Sequence, residues 1–77
     1  MRYMNDVFLD GIVKHKIKMG IFYYFTLYQP IYKMNITCKT MLREFRYIKE
    51  GDFIGVHGTL EKECFTMIKV HKIKVYE

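Results

Sequence analysis

Thr40-Met41-Leu42-Arg43-Glu44-Phe45-Arg46-Tyr47-Ile48-Lys49-Glu50-Gly51-Asp52-Phe53-Ile54-Gly55-Val56-His57-Gly58-Thr59-Leu60 changes its hydrophobic period once, and that change decides the fold. Leu42, Phe45 and Ile48 recur at every third position with Arg43, Glu44 and Arg46 between them. That is the spacing of one or two turns of helix, with Thr40 placed to cap its start. Lys49-Glu50-Gly51-Asp52 then reads as a turn. From Phe53 to Leu60 the period becomes two, so that Ile54, Val56, Gly58 and Leu60 share one face of a strand.

The residues before this segment read as three strands. Between Asp6 and Ile17, Val7, Leu9, Gly11, Val13, His15 and Ile17 alternate with Phe8, Asp10, Ile12, Lys14 and Lys16. A glycine inside such a strand permits a bulge or a sharp bend, which a small barrel needs where its first strand serves two sheets. Lys18-Met19-Gly20 is expected to turn. Ile21 to Tyr28 is aromatic and β-branched throughout, a second strand with Ile21, Tyr23, Phe25 and Leu27 on one face and Phe22, Tyr24, Thr26 and Tyr28 on the other. Both faces are aromatic, so a register shift of one residue would turn Tyr23 and Phe25 outward instead. Gln29-Pro30 ends that strand because proline has no N–H for the ladder. Tyr32 to Thr40 is the third, with Met34, Ile36 and Cys38 opposed to Asn35, Thr37 and Lys39.

After the polar turn Glu61-Lys62-Glu63, a fifth strand runs from Cys64 to Tyr76. Its alternation slips between Val70 and Ile73, as a bulge would make it. Three strands, a short helix and two strands describe an all-β, five-stranded Greek-key barrel, closed to remove its edges, with the helix between strands three and four plugging one end. At 77 residues the chain holds one domain, 1–77.

Composition narrows the function. Half of the chain is hydrophobic (51%), with seven Tyr and six Phe, so it can build a compact core. No stretch approaches the roughly 20 apolar residues of a membrane span, and Met1 to Asp10 lacks the zones of a signal peptide, so a cytoplasmic protein with no membrane contact is expected. Cys38 and Cys64 are too few for a disulfide framework and read as buried thiols, although strands three and five would place them near one another. There is no serine, no Cys-x-x-Cys or His-x-x-x-His pair and no glycine-rich phosphate loop. Neither enzyme chemistry nor a metal or cofactor is expected.

The net charge of +5 is unevenly spread: residues 1–40 carry six Lys/Arg against two Asp, whereas residues 41–77 carry seven against six acids. The basic excess in the first half suggests a polyanion-binding face. An AT-rich genome produces the same bias toward Lys and Tyr without any such role.

Gly11-Ile12-Val13, Phe25-Thr26-Leu27 and above all the stretch from Leu42 to Leu60 carry a family resemblance. Tyr47 to Leu60 follows the pattern "hydrophobic, Lys, any, Gly, Asp or Ser, strand, Gly, any, Leu". The chain resembles, over nearly its whole length, the oligonucleotide/oligosaccharide-binding (OB) fold nucleic-acid-binding domains, in particular bacterial single-stranded-DNA-binding proteins and the related anticodon-binding type. The resemblance implies a barrel that holds single-stranded nucleic acid without catalysis. The lack of tryptophan and the short loops point to an accessory subunit rather than a self-sufficient coating protein.

Single-strand binding needs flat rings for base stacking and cations along the backbone. The outward set Phe22, Tyr24, Thr26, Tyr28, Asn35, Thr37 and Lys39 offers both, with Lys14, Lys16 and Lys18 expected to flank it. Arg43 and Arg46, three apart, can meet phosphates or solvate the helix. Phe65, Lys69 and Lys72 extend the groove, unless Phe65 closes the barrel. The function expected is binding of single-stranded nucleic acid, DNA before RNA, with little sequence preference, as an accessory replication or recombination factor. The alternative is a protein-interaction subunit whose aromatic face docks on a larger replication or translation protein, or on a second copy of itself.

Overall fold

The computed structural model describes residues 6–62 and 66–76. Cys64, Phe65 and the start expected for the fifth strand lie outside the described residues. The elements follow the expected order: β1 (Asp6–Met19), β2 (Phe22–Gln29), β3 (Met34–Thr40), a 3-10 helix (Arg43–Tyr47), β4 (Phe53–Lys62) and β5 (Thr66–Val75). They form a closed barrel in the order β1-β2-β3-β5-β4, with every pairing antiparallel except β3 with β5. The fold is an OB-type five-stranded barrel.

β1 closes the barrel by serving two partners. Asp6 to Ile12 pairs with β4 and Ile12 to Met19 with β2, so Ile12 faces both Phe53 and Tyr28. At this handover a Cβ on Gly11 would lie 2.5 Å from the Tyr28 carbonyl oxygen, so only glycine allows the strands to cross so closely. The bulge itself falls further along, between Lys14 and Ile17, where His15 adopts φ 55°. This corrects the expected alternation, because an extra residue reverses the facing of all that follow it. Ile17, which strict alternation would put on the face of Val13, is 54% exposed, whereas Val13 is fully buried. β1 also runs on to Met19, and the turn is made by Gly20 and Ile21, with Gly20 at φ 63°.

The second strand takes the facing first assigned to it: Phe25 and Leu27 are buried, and Tyr24, Thr26 and Tyr28 are not. Ile21 is the exception, exposed in the turn. The bulge expected near the end of β5 is present. Gly58 pairs with Val70 and His57 with Lys72, which leaves His71 as the unpaired extra residue.

The helix is a 3-10 turn rather than an α-helix, which suits apolar residues spaced by three. It sends Phe45 into the core, stacked on Phe25 with centroids 4.4 Å apart and against Tyr23 at 5.4 Å. Thr40 is not its N-cap; that position is Leu42, which makes no side-chain cap bond. The buried Thr40 hydroxyl instead donates to the Val70 carbonyl at 3.0 Å and accepts from the Leu42 N–H at 3.1 Å, fastening the end of β3 to β5. Val13, Phe25, Leu27, Phe45 and Ile54 are fully or almost fully buried, each contributing about 1.5–3 kcal/mol relative to exposure.

Candidate nucleic-acid interface

Residues directly opposite in a ladder point to the same side of the sheet. On the outer face of β1, β2 and β3 this sorts the side chains into rows. Ile17, Tyr24 and Lys39 form one, continued onto β5 by Lys69, the parallel partner of Lys39. Lys14, Thr26 and Thr37 form the next, and Ile12, Tyr28 and Asn35 the third. Met19 and Phe22 pair at the near edge, beside the β1–β2 turn. The structure therefore brings together Lys14, Phe22, Tyr24, Tyr28, Asn35, Thr37, Lys39 and Lys69 on one surface.

Two of the three rings already carry a cation. The Lys14 ammonium sits 4.5 Å from the Tyr28 ring centre and the Lys39 ammonium 5.0 Å from that of Phe22. Lys39 also pairs with Glu61 at 3.0 Å, so its charge is largely balanced within the protein. The Tyr24 ring, tilted at 48° to Phe22 with centroids 6.0 Å apart, carries no cation among the described contacts. It is the ring on which a base can stack with least rearrangement.

Two of the expected flanking lysines are elsewhere. Lys14 pairs with outward-facing Thr26, but Lys18, beyond the bulge, pairs with Tyr23, whose facing is that of buried Phe25 and Leu27. Lys18 therefore leaves the sheet face for the helical end of the barrel. Lys16 turns to the same end, where its ammonium donates to the carbonyls of Phe45 (2.8 Å), Arg46 (3.2 Å) and Ile48 (2.6 Å). Its backbone N–H donates to Glu50 Oε2 at 2.9 Å. Desolvation lowers the Lys16 pKa below the ordinary lysine value, against the raising pull of Asp52 and Glu50. Lys16 holds the plug in place and does not flank a groove. Arg43 likewise lies off the sheet face, in a cleft with Lys18 and Arg46, and Phe65 falls outside the described residues.

Sequence reasoning missed a second, larger cleft of about 660 Å³, whose lining includes Leu9, Ile36, Ile73, Tyr32, Met34 and Tyr76. These come from three separate parts of the chain, so no local spacing announces them. Cys38 is a buried thiol pushed up to about 12 by desolvation. Among the described residues no group of three or more His, Cys, Asp or Glu gathers as metal ligands, and no helix is long and apolar enough to cross a membrane.

No family model matches the sequence, and no curated protein is similar to it. Solved structures are similar in fold. One is a replication protein A heterotrimer bound to ssDNA, with a TM-score of 0.80 at 12% identity over 99% of this chain and 61% of that one. The chain thus spans about three fifths of that relative's length. The SSB domain of a Synechococcus sp. protein matches with a TM-score of 0.74 at 11% identity, over 96% of this chain and 98% of that one. OBody NL8 bound to hen egg-white lysozyme matches with a TM-score of 0.81 at 13% identity, over 96% of both chains. At such identities the likeness establishes the OB fold and leaves function to the site.

Proposed function

We propose that the outer face of β1, β2 and β3 binds single-stranded nucleic acid, DNA before RNA, with little sequence preference and without catalysis. The observation that carries this reading is the row Tyr24, Lys39 and Lys69, flanked by Phe22 on one side and by Thr26, Thr37, Tyr28 and Asn35 on the other. Bases stack on the rings, the threonines and the asparagine hydrogen-bond to sugars and base edges, and Lys14 and Lys69 follow the phosphates. The fold it shares with a replication protein A heterotrimer bound to ssDNA supports the same reading. We assign the protein an accessory role in replication or recombination in the cytoplasm. Anisotropy of a labelled single strand tests it: the parent binds, and Tyr24→Ala weakens binding without unfolding the barrel. Undiminished binding by that variant contradicts it.

A second reading has its own observation. Ile17 and Met19, 54% and 56% exposed, lie on the same face beside Phe22 and Tyr24. An apolar margin of this kind suits a protein surface, either a larger replication or translation protein or a second copy of this chain. The OBody bound to lysozyme is a protein of this fold whose ligand is another protein. Sedimentation of the free protein at increasing concentration separates self-association from contact with another partner.

A further inference from the structure

The basic residues that the β1 bulge removes from the sheet face converge elsewhere. Lys18, Arg43 and Arg46 line one cleft of about 410 Å³ at the helical end of the barrel, together with Ile21, Tyr23 and Met41. Two features of the backbone produce this convergence. The extra residue at His15 turns Lys18 to the facing of Tyr23. The plug is a 3-10 helix, in which positions i and i+3 superimpose, so Arg43 and Arg46 project from the same side.

The cleft has a specific electrostatic character. It is lined by three cations and no carboxylate. The ion pairs among the described residues, Lys39 with Glu61 and His57 with Asp6, involve none of the three. Arg46 is held in place, its Nη2 donating to the Tyr47 hydroxyl at 2.7 Å with the guanidinium 4.7 Å from the ring centre. The Lys18 ammonium lies 5.7 Å from the Tyr23 ring centre. The lysines considered first for the groove differ, since Lys16 is spent on carbonyls and Lys39 on Glu61. The concave concentration of unbalanced positive charge is therefore here, a form that selects phosphate.

We infer that this cleft binds a phosphate group, and that the phosphate belongs to the single strand as it leaves the sheet face. Gly20 and Ile21 line the cleft and directly precede Phe22, at the edge of the stacking surface. The β1–β2 turn is thus the common border of the two sites. The inference rests on the proposed function, and it extends the strand's path past Phe22 and around the turn toward the helix.

The test is the salt dependence of oligothymidylate binding by the parent, by Arg43→Gln/Arg46→Gln, and by Lys33→Gln/Lys74→Gln, which removes equal charge from the β2–β3 turn and β5. Removing two phosphate contacts lowers the slope of log K against log salt by about 1.4. The arginine pair is expected to show that loss with weakened affinity, and the lysine pair the parent's slope. If the parent binds and the arginine variant keeps the parent's slope, the inference is overturned while the sheet-face reading stands. If the parent binds no strand, the proposed function fails, and inorganic pyrophosphate followed by NMR decides the cleft separately. Shifts confined to residues 18–23 and 41–47, abolished in the arginine variant, support a site for a free phosphorylated ligand; no shifts overturn the inference.

Discussion

The Nζ of Lys16 lies 2.6 Å from the carbonyl oxygen of Ile48, 32 residues further along the chain, and the same ammonium also serves the carbonyls of Phe45 and Arg46. A single cation thereby gathers the carbonyls at the end of the 3-10 plug, of which that of Phe45 also accepts from the Ile48 N–H at 3.0 Å. Lys16→Met keeps the stem and removes the donor. We expect a loss of about 0.5–1.5 kcal/mol for withdrawing that donor from part-exposed carbonyls, read as a lower urea midpoint, with the salt slope of strand binding unchanged. An unaltered midpoint would show that water replaces the ammonium at no cost.

Gly58 fixes the distance between β4 and β5 at the His71 bulge. A Cβ there would lie 2.1 Å from the Lys69 carbonyl oxygen and 2.9 Å from the Val70 Cα, both backbone atoms that a side-chain rotation cannot move. Gly58→Ala is expected to cost about 1–3 kcal/mol or more through strand displacement. Thermal unfolding checks this, and an undisturbed melting temperature would mean that the two strands part freely.

Cys38 is buried, and its thiol is pushed up to about 12 by desolvation. Its native pKa exceeds that of the unfolded chain, so its contribution to stability is fully present below pH 9 and declines as pH rises toward 12. With Cys64 replaced by Val so that one thiol is counted, Cys38 is expected to resist a disulfide reagent in the native state at neutral pH and to react on unfolding. Rapid native labelling would show that the thiol is open to solvent.

Much of this architecture is legible in the sequence because the barrel uses local signals. The three-residue spacing of Leu42, Phe45 and Ile48 marks the plug, and Gly51-Asp52 marks its exit. Phe25 and Leu27 fall on the core side as alternation requires, and the slip between Val70 and Ile73 marks the β5 bulge. The β1 bulge is silent, because His15 takes its positive φ without glycine or asparagine to announce it. Lys14, Lys16 and Lys18 therefore read as one basic edge when three different surroundings receive them. The spacing of Arg43 and Arg46 is legible, but the arrival of Lys18 beside them is not, since it depends on that reversal. The pairing of Lys39 with Glu61 joins β3 to β4, which are not neighbours in the barrel, so no register argument reveals it.

Tyr24 and Lys69 act on binding in different ways. Tyr24→Ala removes a stacking platform worth about 1–3 kcal/mol and should leave the salt slope as it was. Lys69→Gln should lower the slope by about 0.7, the value for one phosphate contact on a single strand, with a smaller loss of affinity. Anisotropy across a range of salt separates the two. A Tyr24 variant that changes the slope, or a Lys69 variant that does not, would contradict the roles assigned to them.

The most direct test of the central claim is anisotropy of a labelled single-stranded oligonucleotide with the folded protein at low and moderate salt, in competition with unlabelled duplex. The outer face of β1, β2 and β3 predicts micromolar or tighter binding to the single strand, poor competition by duplex and a steep loss of affinity as salt rises. No binding at low salt, or duplex competing as well as single strand, would contradict it.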